Sequence, residues 1–86
     1  MERYWPGVRR VDVAIAEEHL GSAAGVLTCD GIPIRILSST WIPADEVVLT
    51  LFEAGGEDDV LEVSRLSDYQ FDRMQRVEVV TGASRR

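Results

Sequence analysis

The chain has 86 residues, with 15 acidic and 9 basic side chains, a formal charge of −6, 45% apolar residues, one Cys and one His. A single small domain of this size seldom gains more than about 3–5 kcal/mol from its core. One Cys closes no intrachain disulfide, and one Cys with one His completes no zinc site, so self-association is the remaining supplement to stability.

The first segment, Met1 to Trp5, is short and aromatic-rich and is stopped by Pro6-Gly7, which predicts a brief strand and a turn. From Arg10 to Thr28, apolar residues at Val13, Ala16, Leu20, Ala23 or Ala24, and Leu27 repeat at helical spacing, with Asp12 suited to the N-terminal end and Asp30-Gly31 as the stop. Ile32 to Ile42 alternates like a strand, with Pro33 confined to its start or edge. Pro43 to Glu46 turns the chain, and Val47 to Glu53 returns as the second arm of an antiparallel hairpin. Glu57-Asp58-Asp59 opens a second helix that ends near Asp68, with Val60, Val63 or Ser64, and Leu66 as its apolar face. Gln75 to Val80 predicts a last strand, and residues 81–86 form a polar tail. The order β-α-β-β-α-β over residues 1–80 is that of a ferredoxin-like sandwich, an α+β fold with a four-stranded antiparallel sheet and two helices on one face.

The segments Glu2-Arg-Tyr-Trp-Pro-Gly-Val8, Ile32-Pro-Ile-Arg-Ile-Leu-Ser-Ser-Thr40 with Pro43-Ala-Asp-Glu46, Leu51-Phe-Glu-Ala54 and Phe71-Asp-Arg73 resemble, in order and spacing, a family of small bacterial ferredoxin-like proteins. It is a domain-of-unknown-function family related to a nickel-binding protein. The resemblance implies the same fold and a dimer packed sheet to sheet, as in dimeric α+β barrels. Many relatives have Cys where this chain has Thr50, so no thiol site is expected on that strand. Relatives also carry a few residues ahead of the first segment, so the first strand is expected to be short or cut off here.

The negative charge argues against nucleic acid and anionic membranes as partners. No apolar run approaches the ~18–20 residues that span a bilayer, and nothing at the N-terminus reads as a signal peptide, so a cytoplasmic protein is expected. All basic residues are Arg, which leaves no lysine for Schiff-base chemistry, and no phosphate loop, nucleophile elbow, HExxH or CxxC motif occurs. Period 2 places Arg35, Leu37, Ser39 and Trp41 with Val48, Thr50 and Phe52 on the sheet face opposite Ile34, Ile36, Leu49 and Leu51. The expected ligand-binding set on that face is Tyr4, Arg35, Ser39, Trp41, Thr50 and Phe52, as a dimer interface, a pocket or both. His19 is the candidate metal ligand, imidazole being suited to nickel; Cys29, beside Asp30, is expected to be a small packing residue. The expected function is a small homodimeric, non-enzymatic binding protein for a small ligand or a divalent metal such as nickel. The alternative is a cofactor-independent isomerase, cyclase or monooxygenase-like enzyme of the dimeric α+β-barrel type.

Overall fold

The computed structural model describes residues 1–78. Strand β1 (Glu2–Tyr4) leads through Gly7, at φ +73, into helix α1 (Arg10–Cys29); strand β2 (Ile34–Ile42), a 3-10 turn (Pro43–Asp45), strand β3 (Val47–Ala54) and helix α2 (Glu57–Ser67) follow. The sheet order is β1-β3-β2 with both neighbouring pairs antiparallel, so β1 and β2 run parallel with β3 between them. The described residues are therefore α+β, with two helices and a three-stranded antiparallel sheet.

Helix α1 starts where the Asp12 carboxylate accepts the Arg9 backbone N–H at 2.9 Å. That bond, helped by the Arg9 guanidinium, holds the Asp12 carboxyl below the usual carboxylate range. The helix stops where Gly31 takes φ +90, a conformation that costs glycine little. Leu20, Ala23, Ala24 and Leu27 are buried along the expected stripe and meet Val60 and Val63 of α2 and Ile34 of β2 in one core. Both helices thus cover the same sheet face.

Leu66 departs from its expected place in that core and is 44% exposed. At 100° per residue it sits about 120° from the Val60 direction, off the stripe. Tyr69, just past the helix end, takes the position instead: its N–H donates to the Ser64 carbonyl at 2.9 Å, and the Ser64 hydroxyl donates to the Tyr69 carbonyl. The chain reaches that position through Asp68, a non-glycine residue at φ 52. Asp68→Gly should therefore stabilise the fold by about 0.5 kcal/mol, a rise of a few degrees in melting temperature by thermal circular dichroism. An unchanged or lower melting temperature would count against strain at this position.

The strand faces differ from the simple alternation. Ile36 pairs with Phe52 but Ser38 pairs with Leu51, so Leu37 is an extra residue in β2, a β-bulge. An extra residue reverses the side-chain parity of everything after it. Ile34 and Ile36 face the helices as expected, but beyond the bulge Ser39 and Trp41 do too, opposite Thr50 and Val48. On β3 the helix-facing residues are Val48, Thr50, Phe52 and Ala54, whereas Leu49 and Leu51 lie on the open side.

No strand forms over residues 75–78; the rest of the expected last strand, Val79 and Val80, and the 81–86 tail lie outside the described residues. What the described chain shows is a single antiparallel bridge of Arg73 to Glu2, on the edge of β1 away from β3. Asp72 reinforces it by accepting the Tyr4 backbone N–H at 2.6 Å.

Candidate functional site

The open side of the sheet is built in cross-strand rows. Tyr4, Val47 and Ile42 form an apolar row across all three strands, followed by Glu2, Leu49 and Thr40, then Leu51 with Ser38, then Glu53 with Arg35. Tyr4 is 57% exposed and Leu49 38%. The last row is an ion pair with Arg35 Nε 2.9 Å from Glu53 Oε1, both side chains largely in water, where such a pair contributes little. Of the six expected ligand-binding residues, only Tyr4 and Arg35 share this face, at opposite ends of it. Ser39, Trp41, Thr50 and Phe52 lie on the helix side, so the expected surface with Tyr4 and Arg35 is not formed: the bulge at Leu37 turns Ser39 and Trp41 over, and β3 has the opposite parity from that expected along its whole length, Phe52 pairing with the helix-facing Ile36 ahead of the bulge.

Beneath the helices those residues belong to a polar core. Thr50 is 3% exposed, and its hydroxyl lies 3.5 Å from that of Ser39. The Tyr69 phenol is pushed up by burial; the positive charge of Arg3 and hydrogen bonding to Thr50 and Arg3 act against that rise. The Arg3 guanidinium lies 3.7 Å from the Trp5 ring centre and 4.8 Å from that of Tyr69, and the two rings meet edge to face at 6.2 Å. Cation–π contact of this kind is worth about 0.5–2 kcal/mol, rising with desolvation. The Trp41 indole N–H is buried without a hydrogen-bond partner among the described residues.

A small cleft of about 230 Å³ opens on this cluster, between Arg3, Trp5 and Tyr69 on one side and Asp12, Ile15 and His19 of α1 on the other. His19 is exposed, and among the described residues no three His, Cys, Asp or Glu groups come together to hold a metal. Cys29, expected to pack at the helix end, is exposed instead, because it falls on the helix face opposite Leu20 and Leu27.

A larger cleft of about 780 Å³ runs from the open face of the sheet, at Ser38, Thr40, Leu49 and Leu51, to the segment Arg73–Val77, with Met1, Phe52, Val60 and Met74 also lining it. This volume is in the range of ligand pockets. Sequence reasoning named Thr50 and Phe52 but missed Arg3, Trp5, Tyr69 and the cleft itself. The alternation Arg3, Tyr4, Trp5 does carry a signal, because it puts Arg3 and Trp5 on one side of β1 and Tyr4 on the other. No family model, curated protein or solved structure matches the chain.

Proposed function

We propose that the protein is a small homodimeric binding protein without catalytic chemistry of its own. Two copies pack their open sheet faces together, and the 780 Å³ cleft, which shares Leu49 and Leu51 with that face, holds the ligand at the edge of the interface. The observation that carries the reading is the uncovered apolar row of Tyr4, Val47 and Ile42, continued by Leu49 and Leu51, on a face that neither helix covers. A face of about 30 by 15 Å is roughly 450 Å², a little over half of the ~800 Å² that each partner of a standard interface buries, so it fits an interface at the small end of the range. The order β1-β3-β2 with Arg73 on the outer edge of β1 supports a ferredoxin-like arrangement with a fourth strand there. The resemblance to small ferredoxin-like proteins points the same way. The incomplete donor set around His19 favours an organic ligand over nickel.

Native mass spectrometry of the untagged protein, with and without added nickel, tests the reading. The wild type should appear as a dimer with no chelator-removable metal. Val47→Arg, which places a charge at the middle of the apolar row without touching the core, should be a monomer with unchanged far-ultraviolet circular dichroism. A monomeric wild type, or a Val47→Arg dimer as tight as the wild type, would overturn the interface. Stoichiometric nickel would overturn the choice of an organic ligand.

A further inference from the structure

The smaller cleft shares no lining residue with the larger one and is built around Arg3. Arg3 is the one arginine among the described residues that is not exposed. Strand parity puts it on the same side of β1 as Trp5, and its guanidinium lies 3.7 Å from the centre of the Trp5 ring and 4.8 Å from that of Tyr69. Arg9, Arg35 and Arg65 each pair with a carboxylate. Arg3 pairs with none among the described residues, and residues 79–86 carry no acidic side chain.

A guanidinium stacked on aromatic rings spends its faces on them, while its N–H groups lie in its plane and suit a carboxylate through two parallel hydrogen bonds. Taking such a cation partly out of water is costly without an opposite charge, and ring contact offsets only part of that cost. The other wall of the cleft is α1, where Ile15 and Ala16 add apolar surface and His19 adds an imidazole. The two carboxylates of the lining do not take the place of the missing anion. Asp12 is held by the Arg9 backbone N–H and guanidinium at 2.9 and 3.4 Å, and Asp68 is exposed to water, which screens it. At about 230 Å³ the cleft is smaller than the ~300–1,000 Å³ of ordinary ligand pockets, which limits its occupant to roughly one ring and its substituent.

We propose that this cleft is a second binding site, which takes a small aromatic carboxylate. The carboxylate bonds to the N–H edge of Arg3, and the ring of the ligand lies against the apolar surface of Trp5, Tyr69 and Ile15. Tyr69 serves the core and the site at once, since the ring that meets Trp5 edge to face also fixes the guanidinium. With a formal charge of −6 the chain as a whole repels anions, so binding of one rests on Arg3.

The test is an NMR titration of the full chain with benzoate, and with benzamide as the control that keeps the shape of benzoate without its charge. Benzoate should saturably shift the Trp5 indole N–H and the backbone amides of Arg3, His19 and Tyr69, and leave those of Phe52 and Val77 in place. Benzamide should bind at least tenfold more weakly. Arg3→Met keeps an apolar stem over the rings and should weaken benzoate binding at least tenfold. The comparison of the two probes uses the wild type alone, so it stands whatever the stability of Arg3→Met. No saturable shift, shifts centred on the large cleft, equal binding of benzamide, or undiminished benzoate binding by folded Arg3→Met would each overturn the site. The subunit mass measured for Val47→Arg is independent of these outcomes, so failure here and failure of the dimer reading are separable.

Discussion

Leu20→Ala should lower the unfolding free energy by about 3 kcal/mol, measured by urea denaturation at fixed protein concentration. Leu20 is 1% exposed and sits where α1, α2 and β2 meet. Truncation removes buried methyl groups and leaves a cavity that a two-layer core closes poorly, because its neighbours Ala23 and Ala24 are too short to move into it. In a domain whose total is about 3–5 kcal/mol, a loss of this size leaves much of the chain unfolded at room temperature. Ile15→Ala on the same helix is the control. Ile15 is 48% exposed, and its loss should change stability by no more than about 0.5 kcal/mol. Equal effects at the two positions would mean that the inner stripe of α1 is not what holds the layers together. Fixed concentration matters, since a dimer gains stability by mass action.

The helices, the hairpin and the first strand were legible in the sequence because each is specified locally. The Val13–Leu27 stripe has one period, Pro43 and Asp45 fix the turn, and the three carboxylates at Glu57–Asp59 mark a helix start. Which residues share a sheet face was not legible. One extra residue at Leu37 reverses every later assignment on β2, and nothing in Ile36-Leu37-Ser38-Ser39 marks the bulge by composition. That moved Ser39 and Trp41 from the open face to the helix side, whereas Thr50 and Phe52 lie there because the alternation of Val47–Ala54, apolar at nearly every position, does not say which of its two faces is inward. Arg3, Trp5 and Tyr69 escaped for a different reason. Their contact spans more than sixty residues of sequence and is set by the left-handed residue Asp68, which throws Tyr69 back over α2 toward the sheet.

Tyr69→Ala should be the second severe variant, with a loss of about 3–5 kcal/mol, because a 7%-exposed ring that carries both the Trp5 edge and the Arg3 guanidinium is removed at once. Tyr69→Phe keeps the ring and should lose only about 0.5–1.5 kcal/mol, the worth of its hydroxyl bonds. The difference between the two variants separates packing from hydrogen bonding. The phenylalanine variant also has a pH signature. Burial raises the Tyr69 pKa above the ordinary value near 10, so as pH rises past about 10 the unfolded chain gives up its phenol proton first. The unfolded state then binds fewer protons than the native state, and stability falls with rising pH until the folded value is passed. Burial lowers the Met1 amine, which has the opposite slope: its contribution is present above about pH 8 and is lost as pH falls through its folded value. Between them the two groups favour a window of about pH 8 to 10. Thermal melts across pH 7 to 11 should show the alkaline fall in the wild type and a shallower one in Tyr69→Phe. Identical alkaline slopes would place the titrating group elsewhere.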